Sequence, residues 1–279
     1  MSNRNIKIIL ACVLVVIIIS LTTFLILALK YPNMKIFKFG YNGKSELIKT
    51  EEFNLYEIEK ITAESKSSDI RVMPANDNDV ITVKIYGDKD ANPTVKVDNK
   101  ELQIDYDYSI ICFGFCSMNN SIIEIYIPTN YDKDLNLSSI SGDIKVTNIS
   151  SENCSIKTTS GDILTEKLKN ANVSTVSGDV KIGSVNNIDV KTTSGDIEIN
   201  RVDNNIEAES VSGEIDINNL TINNNSTIKT TSGDVDIDYC NDVYIDATTK
   251  SGDINIDKNN RYSSITLKIT TISGDVDVH

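Results

Sequence analysis

Carboxylates are the abundant reactive groups of this chain, and many of them recur at one fixed place. Ser-Gly-Asp followed by Ile or Val begins at Ser141, Ser160, Ser177, Ser194, Ser232, Ser251 and Ser273, and Ser212 begins a copy with Glu214 in place of Asp. The central glycines are Gly142, Gly161, Gly178, Gly195, Gly213, Gly233, Gly252 and Gly274, spaced 19, 17, 17, 18, 20, 19 and 22 residues apart. If successive copies stack, Asp143, Asp162, Asp179, Asp196, Glu214, Asp234, Asp253 and Asp275 form a column with about 4.8 Å per step. Each adjacent pair of charges then repels by about 0.9 kcal/mol in water before salt screening. Divalent cations are one remedy, because hard cations take carboxylate oxygens, and Asp143, Asp162, Asp179, Asp196, Asp234, Asp253 and Asp275 are the candidate ligands. The other remedy is structural: each Asp bonds amides at a chain corner, and Lys157, Lys191 and Lys229, four residues before their glycines, offset the charge. The calcium nonapeptide of other β-rolls, G-G-x-G-x-D, is absent, which favours the structural remedy and an expectation of no bound metal.

Other chemistries are poorly supplied. Among 279 residues there is no Trp and one His, His279, whereas a His-dependent hydrolase needs a buried, oriented imidazole. The formal charge is −13, and a nucleic-acid binder should carry a basic stripe instead. Glu198, Asp216, Asp236, Asp238, Asp257 and Asp277 add a second, outward acidic stripe, read as a solvated face with a cationic partner as the alternative. Cys154 and Cys240 fall in aliphatic columns and read as buried apolar residues. Cys112 and Cys116 flank Phe113-Gly114-Phe115 and either close a local disulfide or stay free; a CxxxC alone is poor support for zinc. No enzyme and no cofactor are expected.

The elements that hold the Ser-Gly-Asp corners emerge when every copy is aligned on its Gly. Seven residues before it stand Leu135, Cys154, Ala171, Ile188, Ile206, Ser226, Ile245 and Leu267, and five before it Leu137, Ile156, Val173, Val190, Ala208, Ile228, Ala247 and Ile269. Two after it is always Ile or Val, and four after it only Thr165 interrupts the aliphatic residues. This alternation of period two predicts two short strands per repeat, each with one buried face. A unit of about 18 residues has no core of its own, so its apolar columns are buried by stacking on neighbouring copies: a β-solenoid. Glycine supplies a positive φ at the corner and Asp bonds nearby amides. Three residues before each Gly stands Ser139, Thr158, Thr175, Thr192, Ser210, Thr230, Thr249 or Thr271, an unbroken hydroxyl column that suits bonding from rung to rung.

Upstream, Leu55–Ile61, Ile70–Val72, Val80–Tyr86, Leu102–Tyr106 and Ile122–Ile127 are strand-like, and Ser67-Ser68-Asp69-Ile70 reads as a ninth, degraded corner. Residues 53–134 are therefore expected to form atypical first rungs and a cap, with a separate small β-domain as the alternative, and residues 135–279 the regular repeats. Ile8–Leu29 is a run of 22 residues without a charge, about 33 Å as a helix and long enough to cross a hydrocarbon core. It reads as a single transmembrane helix after a short cytoplasmic tail (1–7) and before a juxtamembrane linker (30–52). It is longer than a cleaved signal's apolar region and lacks an A-x-A-like site. Lysines after the span outnumber the charges before it, but long domains translocate largely regardless of charge, and residues beyond the linker are placed outside the cytoplasm. Without Arg4 and Lys7, 25 basic residues remain against 40 acidic ones, a balance that repels polyanions.

This combination, an anchor, a Ser-Ser-Asp-Ile-Arg-Val rung and repeated Thr-x-Ser-Gly-Asp-Ile/Val steps, resembles the bacterial putative-adhesin family, an envelope domain of unknown function. The resemblance covers about Phe53 to Val278 and implies an all-β, single-stranded, right-handed, pectate-lyase-like β-helix. It brings no catalytic motif. The expected function is a membrane-anchored, extracytoplasmic, non-catalytic surface protein that contacts a protein or a cell-wall glycan along its side. The alternatives are an accessory regulator of an envelope stress response acting through a membrane sensor, and a glycan-active β-helix enzyme.

Overall fold

The computed structural model describes residues 45–88, 92–107 and 121–279. The span expected at Ile8–Leu29 and the cysteines Cys112 and Cys116, with Phe113 and Phe115, lie outside the described residues. The N-terminal part comprises β1 (Glu46–Asn54), a 3-10 turn (Leu55–Glu57), β2 (Lys60–Ser65), β3 (Asp69–Pro74), β4 (Val80–Gly87), β5 (Thr94–Asp98), β6 (Glu101–Tyr106) and β7 (Ile122–Ile127). The repeats follow as β8 (Asp134–Ser139), β9 (Ile144–Val146), β10 (Asn153–Lys157), β11 (Ile163–Ser174), β12 (Val180–Lys191), β13 (Ile197–Glu209), β14 (Ile215–Leu220), β15 (Ser226–Lys229), β16 (Val235–Ile237), β17 (Tyr244–Thr248), β18 (Ile254–Ile256), β19 (Thr266–Thr270) and β20 (Val276–Val278). All 20 strands of the described residues belong to one sheet, and the protein is all-β and solenoid-like.

Each rung contributes one stretch of strand before its corner and one after it, and the two sets form two ladders. The first ladder runs β5–β6–β2–β8–β10–β11–β12–β13–β15–β19–β17, parallel except where β5 meets β6. The second runs β1–β4–β7–β3–β9–β11–β12–β13–β14–β16–β20–β18, antiparallel only where β1, β4 and β7 meet. β11, β12 and β13 are long enough to run through both, with continuous register between β11 and β12 and one irregularity between β12 and β13, after Val185.

Register follows the glycine alignment. Ile144, Ile163, Val180, Ile197, Ile215 and Val235 are successive partners, as are Leu135, Cys154, Ala171 and Ile188. These columns are buried and form one continuous core with Ile61, Ile70, Leu102, Ile123 and Ile125 of the upstream strands. A one-residue slip would turn every aliphatic side chain outward, so burial fixes the register.

The stacking order departs from chain order at both ends. β2 and β3 lie between β6 and β7 on one side and β8 and β9 on the other. At the far end β19 and β20 lie between β15 and β16 and the earlier pair β17 and β18. The corner column therefore runs Asp69, Asp143, Asp162, Asp179, Asp196, Glu214, Asp234, Asp275, Asp253. Simple stacking in sequence order is corrected here: Gly274 packs on Gly233, and Gly252 packs on Gly274. At the N-terminal end, antiparallel β1, β4 and β5 cover sheet edges that would otherwise be open to pairing.

Candidate functional site

The corners place the predicted carboxylates in a column, and all but Glu214 and the terminal Asp253 accept an amide of the next rung. Asp162 N–H donates to Asp143 Oδ1 (2.9 Å), Asp179 N–H to Asp162 (2.9 Å), Asp196 N–H to Asp179 (3.1 Å) and Glu214 N–H to Asp196 (2.9 Å). The pattern begins at the degenerate rung, where Asp143 N–H donates to Asp69 (3.2 Å), and continues through Asp275 to Asp234 and Asp253 to Asp275 (2.8 Å each). An amide dipole thus stands between successive carboxylates, which relieves their repulsion without a cation. Among the described residues no group of three or more His, Cys, Asp or Glu is arranged to hold a metal ion.

The expected counterions act elsewhere. Lys191 pairs with Asp189 (3.2 Å) and Lys229 with Glu209 (2.8 Å), on the strand before the corner rather than at it. This corrects the role read for these two; Lys157 lines the larger cavity on the first ladder. The reason is geometric: four residues before Gly, the side chain leaves from the first ladder's outer face. The basic groups beside the corner carboxylates are Arg71, Lys145 and Lys181, which with Asp69, Asp143, Asp162 and Asp179 line a cavity of about 330 Å³.

The glycines are needed for a different reason from the one expected. Among the described glycines only Gly252 has a positive φ, at 155°. A Cβ on Gly195 would instead lie 1.9 Å from Gly178 O, and one on Gly178 1.9 Å from Gly161 O. Close approach of stacked backbones, not a left-handed turn, excludes a side chain. The hydroxyl three residues earlier closes the corner: Ser139, Thr158, Thr175, Thr192 and Ser210 accept the N–H of their own Gly at 2.8–3.1 Å. Thr249 in turn donates to Gly274 O of the adjoining rung (3.1 Å). The hydroxyl column therefore bonds backbone to backbone across rungs, rather than hydroxyl to hydroxyl.

The second acidic stripe lies on the outer face of the second ladder. Glu198, Asp216, Asp236 and Asp277 occupy one column, as their partnered positions show. Partial burial, then the neighbouring Asp236, Asp238 and Glu198, hold the Asp216 carboxyl above its usual range. Glu214 is raised in the same way, by burial and then Asp196 and Asp234. At the N-terminal side of this stripe Lys181 bonds Glu198 (2.6 Å).

One array went unread in the sequence. Asn187 Nδ2 donates to Asn170 Oδ1 (2.7 Å) and Asn204 Nδ2 to Asn187 Oδ1 (2.6 Å), while Asn153 Nδ2 donates to Asp134 Oδ1 (2.9 Å). Part of the signal was present: Asp134, Asn153, Asn170 and Asn187 stand eight residues before their glycines, whereas Asn204 stands nine before Gly213, and Asn205 holds the eighth place there.

The outer face of the first ladder is concave. A cavity of about 690 Å³ spans β5, β6, β2, β8 and β10, lined among others by Lys96, Gln103, Thr62, Asn136 and Ser155. A second, of about 370 Å³, continues over β8, β10, β11, β12 and β13 and shares Asn136 and Ser155 with it. In the larger cavity Glu101 accepts from Thr62 (2.5 Å), Lys60 (2.9 Å) and Gln103 (3.3 Å), which lowers its pKa to about 2. Cys154 and Cys240 are free thiols whose burial pushes their pKa up to about 12 and about 11.

The profile of the Toastrack DUF4097 family matches residues 58–279. The chain belongs to the Toastrack DUF4097 family. The match begins within the upstream strands, so the family takes in the atypical rungs with the regular ones. Among solved structures, a putative lipid binding protein from Parabacteroides distasonis is 18% identical, with a TM-score of 0.51, covering 86% of this chain and 99% of that one. A putative adhesin from Bacteroides fragilis is 17% identical, with a TM-score of 0.48, covering 85% and 98%. No curated protein matches.

Proposed function

We propose that this Toastrack protein is a single-pass membrane protein whose solenoid stands outside the cytoplasm and works by contact along its side, without catalysis. The observation that carries this reading is the long concave face of the first ladder, where two adjoining cavities share Asn136 and Ser155. A rigid parallel stack offers outward side chains at every rung in fixed register, which suits an extended partner more than a small substrate. The corner aspartates from Asp69 to Asp196, with Asp234 and Asp275, are committed to amides and are poorly placed to move protons. The helix at Ile8–Leu29 supplies the anchor in this reading, and a right-handed, single-stranded winding the shape. The solved relative's name speaks of lipid; this chain's face is polar and its balance acidic, which favours neither an acyl chain nor an anionic bilayer surface.

The test is fractionation of cells producing the full chain, followed by protease treatment of intact cells. Recovery in the membrane, with the solenoid's epitopes lost to external protease, is the expected result. A soluble product, or one protected until the cells are broken, overturns the reading.

A further inference from the structure

We infer that the concave face of the first ladder binds an uncharged, hydroxyl-rich glycan strand laid along the solenoid axis; the inference rests on the proposed contact function and assigns its site and ligand class. The floor of the groove is one column of outward residues: Lys96 on β5, Gln103 on β6, Thr62 on β2, Asn136 on β8, Ser155 on β10, Asn172 on β11 and Asp189 on β12. They are register partners strand by strand. Five neighbouring members of the seven are neutral and polar. Gln103 and Thr62 are tied to Glu101, whereas Asn136, Ser155 and Asn172 face the cavities without a side-chain hydrogen bond among the described residues. Each offers a donor and an acceptor at steps of about 4.8 Å, and the groove from β5 to β13 extends about 34 Å.

The margins select against charge. Lys60, paired with Glu101, and Lys157 line the larger cavity together with Glu64 and Asp105, Asp134 and Glu207 line the smaller one, and Lys96 and Asp189 put one charge of each sign at the two ends of the floor column. A polyanion meets the carboxylates and a polycation meets the ammonium groups, while an uncharged polymer meets neither penalty. A peptide would be recognised through an open strand edge or apolar side-chain pockets, and here the floor is the face of paired strands. Among the described residues no aromatic side chain lines either cavity, so on these residues each sugar contributes little and affinity accumulates over several rungs.

The experiment uses the full chain in detergent micelles and its Asn136→Ala/Ser155→Ala/Asn172→Ala variant, with Leu164→Ala on the other ladder as control. Retention is measured on insoluble cellulose, chitin, mannan and α-glucan, on insoluble pectate, and on envelope sediment from the producing bacterium. The expected result is retention on at least one neutral glycan, competed by its hexasaccharide and not by its disaccharide, and weakened tenfold or more in the triple variant at unchanged melting temperature. Retention only on pectate, equal retention of the triple variant, or none on any neutral glycan overturns the inference. Equal retention of wild type and triple variant on the envelope sediment sinks the glycan groove and leaves the contact function standing. Loss of envelope binding by the wild type itself removes both.

Discussion

Replacing Gly195 by Ala forces a Cβ to within 1.9 Å of Gly178 O, and because both atoms belong to stacked rungs, neither can yield without breaking ladder bonds. Overpacking of this kind costs about 3 kcal/mol, and Gly195→Ala should lower unfolding free energy by about that much in urea titrations. A loss below about 1 kcal/mol would show that the corner backbones can separate. Thr165 carries the opposite expectation. It is buried between Val146 and Ile182, and its Oγ1 has no hydrogen-bond partner. Thr165→Val replaces the orphaned hydroxyl with a methyl of similar shape and should stabilise by about 1 kcal/mol in the same titration. The sequence alone marked Thr165 as the one polar residue in its column, but could not say whether a partner reached it. Nor could it distinguish the two uses of glycine, since steric exclusion by the neighbouring rung and a positive φ select the same residue.

At the scale of the element, the second ladder's acidic stripe and the first ladder's Glu101 titrate in opposite senses. Glu214 and Asp216 are held above their ordinary values, so their ionisation costs stability above those raised values, and protonation restores it as pH falls toward about 4. Glu101, lowered to about 2, contributes stability that is present above its unfolded value of about 4.3 and is lost as pH falls from there through 2. The melting temperature should therefore rise from pH 7 to a maximum in mild acid and then fall. Asp216→Asn should flatten the rising limb and Glu101→Gln the falling one. A melting temperature that declines steadily from pH 7 downward contradicts the assignment. Strand pairing and register were legible because glycine alignment exposes period-two burial without ambiguity. The counterion role of Lys191 and Lys229 was not, because which outer face a lysine leaves from depends on where the chain turns within each rung, and repeat spacing does not report it.

For the whole molecule, the sequence shows how many rungs there are but not their order, since the copies are nearly interchangeable and any of them could dock on any other. The intercalation of β19 and β20 makes a direct prediction. β17 and β18 have β19 and β20 as their strand partners, so removal of residues 266–279 should expose residues 244–256 as well. Hydrogen exchange should then show amide protection lost in β17 and β18 and kept in β8 to β13. Protection that persists at 244–256 would mean that β17 and β18 can restack on β15 and β16. The same arrangement governs synthesis. A parallel stack can in principle grow rung by rung behind the ribosome, and from β8 to β16 each new pair finds its platform already made. β17 and β18 emerge before the strands they rest on, so the end of the stack closes in a single late step, when the platform and the rung above it arrive together.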